Sequence, residues 1–202
     1  MKFLPEVILI GGSAGAISTI LKLLPQIKDT LPIPLIIVVH RYRHDKDELL
    51  EIMSWEVSSN ITLCEATNNQ PIVPDTLYLA PADYHLLIEE NKHFSLSIDP
   101  LVNYSRPSID ILFESAAFVF GRKVLAILLS GANHDGAKGC SAIEECGGNI
   151  IIQDPTDAEH AEMPLAAIEI TKRKEVLSTD DIISTIIALE LFKNRMHYVV
   201  QK

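Results

Sequence analysis

The stretch Val7-Ile8-Leu9-Ile10-Gly11-Gly12-Ser13-Ala14-Gly15 decides the fold of this chain. Its first four residues are apolar and mostly β-branched, which is typical of a buried strand, and the glycines that follow are typical of a tight turn. Apolar residues then recur with helical spacing at Ile17, Ile20, Leu21 and Leu24. The stretch therefore predicts a strand, a sharp turn and a helix, with Ser13 on the turn.

Two kinds of functional site place glycines at such a turn. Ser13 lies at the centre of a Gly-x-Ser-x-Gly pattern, in which the turn of a nucleophile elbow leaves the hydroxyl exposed. A nucleotide site is the alternative, but the dinucleotide pattern, aligned on Gly12 and Gly15, needs a glycine where the chain has Ile10. The next predicted strand ends in His40 instead of a ribose-binding acid, and no P-loop sequence occurs. The spacing alone leaves the nucleophile a hypothesis.

Length and composition predict one globular domain over residues 1–202. About 48% of the residues are apolar and 22% are charged, with no low-complexity segment. The net charge of −10 argues against a nucleic-acid-binding protein, which would normally have a basic face.

Cysteine usage and the N-terminus predict a cytoplasmic protein without membrane insertion. The three cysteines, Cys64, Cys140 and Cys146, are odd in number and lack metal-site spacing, so we expect reduced structural thiols. Residues 1–6 lead directly into the first strand and leave no room for a signal peptide. No apolar run approaches membrane-spanning length.

Strand and helix patterns alternate along the chain, which favours a Rossmann-like, doubly wound, mostly parallel α/β sheet. The middle differs, because short strands there flank a hairpin connection at residues 89–92, which predicts an added antiparallel hairpin. The predicted strands span residues 7–10, 35–39, 61–64, 77–79, 85–88, 94–98, 124–129 and 149–152.

Residues typical of helix ends occur between the predicted strands and helices. Candidate N-caps are Asp45 or Asp47, Ser108, and Ser178 or Thr179. Gly121 and the pair Gly147-Gly148 are candidate C-terminal stops, and Met163-Pro164 begins a short helix.

Three polar residues follow the carboxyl ends of predicted strands, where reactive groups of a parallel sheet collect. Ser13, His40 and Asp135 could supply a nucleophile, a base, and a carboxylate that orients the imidazole. Each also has a structural interpretation: a small turn residue, a hydrogen-bonded strand-end histidine, and the cap of the following helix. His134 and Asp154 could also line the cleft, and His44 is expected to be a surface or helix-start residue. Three further histidines, His85, His93 and His160, lie on hairpin or loop segments without metal-ligand grouping.

Several motifs in order make the chain resemble the catalytic domain of the CheB-type chemotaxis protein-glutamate methylesterases, over roughly residues 6–190. The motifs are Gly-Gly-Ser-Ala-Gly-Ala at 11–16, His40, Tyr-Leu-Ala-Pro-Ala-Asp-Tyr-His at 78–85, Arg-Pro-Ser-Ile-Asp-Ile-Leu-Phe at 106–113, Ser-Gly-Ala-Asn-His-Asp-Gly at 130–136, Gly147-Gly148 and Met163-Pro164.

This resemblance implies hydrolysis of glutamyl methyl esters on receptor helices and deamidation of certain glutamines, without a metal or organic cofactor. It places the catalytic triad on Ser13, His40 and Asp135. Backbone N–H groups of Ala14 and Ala132 are the oxyanion-hole candidates. The family usually has threonine and methionine at these two positions, but a backbone donor survives either change.

We therefore expect a serine hydrolase acting on a methylated chemoreceptor-like signalling protein. The alternatives are the same triad acting on a different protein ester or amide, and a catalytically silent binding module. Many family members carry a receiver domain, which we do not expect here, so activity should not need a phosphodonor. Arg41 and Arg43 follow His40, and we hypothesise that they steer acidic helices to the cleft; two solvated loop arginines are the alternative.

Overall fold

Strand β1, Val7–Gly12, is buried along its whole length because it lies inside a seven-stranded sheet. A computed structural model describes residues 4–28, 30–41 and 48–200, without the side chains of residues 192 and 194–200. Successive β1 residues face opposite sides of the sheet. Val7 and Leu9 join one apolar core, and Ile8 and Ile10 join a second core on the other face.

The strands that share a sheet with β1 all pair in parallel, in the order β3-β4-β2-β1-β7-β8-β9. The chain winds outward from β1 through β2 and returns on the other side through β7, so the winding direction reverses between β1 and β7. This reversal is where ligands bind in open α/β sheets. The other strands are β2 Leu35–Val39, β3 Thr62–Glu65, β4 Thr76–Leu79, β7 Val124–Leu128, β8 Asn149–Gln153 and β9 Glu175–Leu177.

Helices cover both faces of the sheet, which confirms the doubly wound prediction. One core contains Phe113 and Met163, from helices α3 and α5, and the other contains Ile20, Met53 and Ile186, from α1, α2 and α6. The helices are α1 Ala16–Leu23, α2 Glu48–Glu56, α3 Ile109–Phe120, α4 Ala137–Glu145, α5 Glu162–Ile170 and α6 Thr179–Val200. Short 3₁₀ helices follow α1 and α3 at Leu24–Gln26 and Gly121–Lys123.

The predicted antiparallel hairpin is present as β5, His85–Ile88, and β6, Phe94–Ser97. Its apolar side chains, Leu86, Ile88 and Phe94, join the same core as α3. The strand predicted over residues 77–79 pairs with β2 and β3 in the parallel sheet. Strand β9 was not predicted, because it is three residues long and two of them are exposed.

Most of the predicted helix ends are confirmed. Gly121 ends α3 with a φ of 53°, and Gly147, with a φ of 81°, follows α4. Ser178 accepts a hydrogen bond from the N–H of Asp181 and donates one to its carboxylate, so it caps α6. Asp45 and Asp47 lie outside the described residues. Ser108 precedes α3 but makes no capping hydrogen bond, because its hydroxyl binds elsewhere.

Among the described residues, no helix is both long and apolar enough to cross a membrane.

Candidate active site

Strand register brings Ser13 and His40 side by side. Gly12 of β1 pairs with Val39 of β2, and each candidate residue follows its strand directly. The N–H of His40 donates to the carbonyl of Gly12 over 3.3 Å. The two residues therefore lie at the same edge of the sheet, although they are 27 positions apart in the sequence.

The Ser13 turn needs its glycines for close packing. A Cβ at Gly12 would lie 2.4 Å from the Cβ of Ala16, so any side chain there would collide with the first turn of α1. Gly15 has a φ of 82°, in the left-handed region that favours glycine. The N–H of Ser13 donates to the carbonyl of Ser130 over 2.9 Å, which ties this turn to the segment after β7.

His40 and Asp135 form a hydrogen-bonded pair. Nε2 of His40 lies 2.8 Å from Oδ2 of Asp135, and the carboxylate is fully buried. An ionised carboxylate only accepts hydrogen bonds, so we assign the ring proton to Nε2. Nδ1 is then the nitrogen with the lone pair, and it can act as the base.

Asp135 lies at the N-terminus of α3, where unpaired backbone N–H groups favour a negative charge. One prediction from the sequence is that Asp135 caps the helix that follows it, but α4 has no side-chain cap and Asp135 instead caps α3. Burial acts to raise the pKa of Asp135, but hydrogen bonds, first from His40, then from Asn103 and Ile109, hold it below its ordinary value. Its donors besides His40 are the N–H groups of Ile109 and Asp110, the hydroxyl of Ser108 and the amide of Asn103.

A second buried carboxylate, Asp110, lies beside Asp135. The side-chain amide of Asn103 donates to both carboxylates, over 2.9 Å in each case. Asp110 also accepts a hydrogen bond from the N–H of Gly139. Burial raises the pKa of Asp110 to about 6, with a further contribution from the charge of Asp135. Asn103 therefore keeps two like-charged groups close together.

The lone-pair nitrogen of His40 is occupied by a different serine. The Ser105 hydroxyl lies 3.2 Å from Nδ1. Within the described part of the chain, the Ser13 hydroxyl makes no hydrogen bond. The structure thus brings His40 and Asp135 together and places Ser13 beside them, without a hydrogen bond between Ser13 and His40.

Backbone donors open to solvent border this site. Ala14 and Ala132 are both exposed, and over residues 4–28, 30–41 and 48–200 neither N–H donates a hydrogen bond. The hydroxyl of Ser130 donates to the carbonyl of Ala14 over 2.8 Å, which orients that peptide. Ala14 follows Ser13 directly, and Ala132 lies two residues after Ser130, whose carbonyl accepts from the N–H of Ser13, so both N–H groups stay candidates for stabilising a developing oxyanion.

Comparison with known proteins decides the family. The family model described as CheB methylesterase matches residues 8–186. The chain belongs to the CheB methylesterase family.

Members of this family similar to the chain are named as hydrolases. A Leptospira interrogans protein, provisionally named protein-glutamate methylesterase/protein-glutamine glutaminase, is 44% identical over 92% of this chain and 95% of its own length. An Azospirillum brasilense protein-glutamate methylesterase/protein-glutamine glutaminase is 34% identical over 82% of this chain, which covers 42% of that relative. The crystal structure of the Thermotoga maritima CheB methylesterase catalytic domain superposes with a TM-score of 0.83 at 26% identity, covering 92% of this chain and 98% of that one.

This CheB-family fold also shows which other polar residues belong to the site. Among the described residues, neither His134 nor Asp154 forms a hydrogen bond with the His40–Asp135 pair. His134 is exposed and lines a surface cavity together with Asn103 and Asp110, and Asp154 binds Thr156 in an exposed turn. His85 is fully buried, accepts from the N–H of Ser108 and bonds to the carbonyl of Pro100. His44 lies outside the described residues, within which no cluster of three or more His, Cys, Asp or Glu side chains could hold a metal ion.

Arg41 is neither a solvated loop arginine nor exposed as the steering hypothesis requires. Its side chain is only 4% exposed, pairs with Glu65 and donates to the carbonyl of Ala80 over 2.8 Å. A buried, paired guanidinium contributes little to the field outside the protein. Arg43 lies outside the described residues.

Sequence reasoning missed three residues that contact the pair: Asn103, Ser105 and Ser108. The sequence predicts Ser108 only as the N-cap of α3. The Arg106 side chain anchors the loop of residues 103–106, through Asp83 and the carbonyls of Ile98 and Asp99. A signal was available, because Asn103 and Ser105 stand immediately before the Arg-Pro-Ser motif.

Proposed function

We propose that this protein hydrolyses methyl esters of glutamate side chains on a chemoreceptor-like signalling protein, with Ser13 as nucleophile, His40 as base and Asp135 as the orienting carboxylate. The observation that carries the proposal is the 2.8 Å contact between Nε2 of His40 and buried Asp135, beside the Ser13 turn. The names of the relatives support the choice of substrate.

The chemistry follows the general scheme of a serine hydrolase. Ser13 Oγ attacks the ester carbonyl while Nδ1 of His40 takes the hydroxyl proton, and the imidazolium is stabilised by Asp135. The N–H groups of Ala14 and Ala132 bind the oxyanion of the tetrahedral intermediate. The intermediate expels the methoxide oxygen as it receives the proton from Nδ1, so methanol leaves and a glutamyl ester remains on Ser13.

Water completes the cycle. Nδ1 of His40 takes a proton from the water as its oxygen attacks the acyl group, and then returns that proton to Ser13 Oγ as the glutamate is released. The same steps on a glutamine side chain release ammonia in place of methanol. The scheme uses water and the chain's own groups.

The test is methanol release from a helical peptide that carries one glutamyl methyl ester, with ammonia release from the matched glutamine peptide. We expect turnover by the wild type and none by Ser13→Ala. Ser18→Ala is the matched control, because Ser18 is an exposed serine on α1 whose hydroxyl binds only the carbonyl of Gly15 among the described residues. Equal turnover by the Ser13→Ala variant would contradict the proposal.

Fluorophosphonate labelling separates the enzyme from a silent binding module. An active site should acquire one covalent adduct on Ser13, located by mass spectrometry of the digested protein. A folded wild-type protein that neither reacts with the probe nor releases methanol would favour the binding module.

A further inference from the structure

The hydrogen bond between Ser105 and His40 has a defined direction. Nε2 of His40 donates to the Asp135 carboxylate, so Nδ1 carries no proton in the neutral ring. The Ser105 hydroxyl, 3.2 Å from Nδ1, must therefore be the donor. Its alternative acceptor, the carbonyl of Asn103, is farther away at 3.5 Å.

A tight turn holds Ser105 in this position. Val102 and Ser105 exchange backbone hydrogen bonds of 3.2 and 2.8 Å, and the two residues between them, Asn103 and Tyr104, have φ values of 48° and 63°. Such a two-residue turn usually contains glycine or asparagine, and a tyrosine with positive φ is strained. Strained residues persist where their surroundings hold them and cluster at functional sites.

Side-chain contacts fix the turn to the catalytic groups. Asn103 donates to Asp110 and Asp135, while the ring of Tyr104 is 97% exposed and contributes nothing to the packing. The turn thus connects to both members of the His40–Asp135 pair, through Asn103 on one side and Ser105 on the other.

Nδ1 of His40 has a single lone pair, and this lone pair must accept the hydroxyl proton of Ser13 when Ser13 attacks. We propose that Ser105 is a positioning residue that holds His40 in the unliganded enzyme and competes with Ser13 for Nδ1. The inference rests on the proposed triad. For Ser13 to be activated, Nδ1 of His40 must exchange the hydrogen bond from Ser105 for one from Ser13. The bond to Ser105 therefore lowers the fraction of molecules in which Ser13 is hydrogen-bonded to His40.

Removing the Ser105 hydroxyl should make Ser13 more reactive. The competing bond has the strength of an ordinary neutral hydrogen bond, so its loss should raise the second-order rate constant for fluorophosphonate labelling of Ser13 by about 2- to 10-fold. A small probe is suitable because its reaction reports the pairing of Ser13 with His40 without contacts to a protein substrate.

Two variants serve as controls for Ser105→Ala. Ser105→Thr keeps a hydroxyl and should restore the slower labelling rate. Tyr104→Ala alters the same turn without changing a contact to His40, so it should label at the wild-type rate. Slower or unchanged labelling of Ser105→Ala would overturn the proposal, as would an adduct located on Ser105 instead of Ser13.

Nitrogen NMR of His40 provides a readout that does not depend on turnover. In the wild type we expect the Nε2–H tautomer, with Nδ1 shifted as a hydrogen-bonded acceptor. In Ser105→Ala on a Ser13→Ala background, where the Ser13 hydroxyl cannot replace that of Ser105, the Nδ1 signal should move toward the value of a free acceptor relative to Ser13→Ala alone, while the Nε2 signal stays the same. An Nδ1–H tautomer in the wild type, or an unchanged Nδ1 signal in the variant, would contradict the proposal.

The two measurements separate failure of this inference from failure of the proposed function. A wild type that does not react with the probe would contradict the function, and the Nδ1 signal would still test Ser105. Normal labelling of Ser13 at identical rates in wild type and Ser105→Ala would contradict only the role of Ser105.

Discussion

Nε2 of His40 and Oδ2 of Asp135 lie 2.8 Å apart, although 95 positions separate the two residues in the sequence. The sheet produces this contact because β1 lies between β2 and β7, whose carboxyl ends lead to His40 and Asp135. The N-terminus of α3 then stabilises the carboxylate. One parallel sheet and one helix N-terminus therefore bring His40 and Asp135 together.

Removal of the proposed nucleophile, Ser13, or of the proposed base, His40, should greatly reduce turnover. We expect Ser13→Ala and His40→Ala each to lower the rate of methanol release by about 10⁶-fold, because triad members act as a unit and their losses are not additive. The double variant should be no slower than either single one. A double variant that is much slower than both would show that the two residues act independently, and circular dichroism checks that each variant is folded.

Asp135→Asn should reduce both activity and stability. Turnover should fall by about 10⁴-fold, because an amide favours the wrong tautomer of His40. The substitution also places an NH₂ group among the donors at the start of α3, which should lower the free energy of unfolding by about 1–3 kcal/mol. Urea unfolding and methanol release measure the two effects. A variant as stable as the wild type would show that Asp135 is not needed as the cap of α3.

His40 and Asp135 could be predicted from the sequence because each follows an apolar strand, and the ends of parallel strands meet at one edge of a sheet. The contacts that Ser105 and Asn103 make with this pair could not be predicted from the sequence. Their positions depend on a turn with two positive φ values, and its second residue, Tyr104, gives no local signal for that conformation. Ser108 misled the prediction because a serine before a helix normally caps it. Here a carboxylate from a distant segment occupies the cap position, and the serine hydroxyl donates to that carboxylate.

The Asn103 amide should be essential for holding the two buried carboxylates together. Asn103→Leu removes the hydrogen-bond donor and should lower the free energy of unfolding by about 1–3 kcal/mol. Asn103→Asp adds a third carboxylate beside Asp110, whose pKa is already raised to about 6. This variant should lower the free energy of unfolding by more than Asn103→Leu does.

The pH dependence distinguishes these two Asn103 variants. Like charges raise the carboxyl pKa values of the folded Asn103→Asp protein above those of the unfolded chain, so its stability should fall as the pH rises from about 4 to 7. Asn103→Leu should follow the wild type more closely over this range. Urea unfolding at pH 5 and pH 7.5 measures the difference, and parallel behaviour of the two variants would contradict the prediction.

Arg41 should act in stability and not in substrate capture. Arg41→Met breaks the contacts with Glu65 and the carbonyl of Ala80, and should lower the free energy of unfolding by about 1–3 kcal/mol, because Glu65 is half-buried and keeps part of its hydration. Glu65→Gln should cost at least as much free energy of unfolding, because it leaves the Arg41 guanidinium, only 4% exposed, without its counter-charge. The dependence of substrate association on salt should be the same for Arg41→Met and the wild type. A steeper salt dependence in the wild type would restore the steering hypothesis.

A buried carboxyl group far from the site, Glu190 on α6, should make stability depend on pH. Glu190 is 4% exposed, and this burial raises its pKa to about 8. The N–H of Ile33 and the charge of Lys193 act to lower the pKa, and the charge of Asp75 adds a small increase. The unfolded chain loses this proton near pH 4.5, but the folded protein keeps it until about pH 8. The wild type should therefore lose stability as the pH rises through this window, on the order of a few kcal/mol in total, at about 1.4 kcal/mol for each unit of pKa difference. Glu190→Gln should lack this pH dependence, so the free energy of unfolding of the variant minus that of the wild type should increase between pH 5 and pH 8.

Urea unfolding across that range measures this difference, with Glu145→Gln at an exposed position of α4 as the matched control. A difference that stays constant with pH for Glu190→Gln would mean that Glu190 is ionised in the folded protein at pH 5.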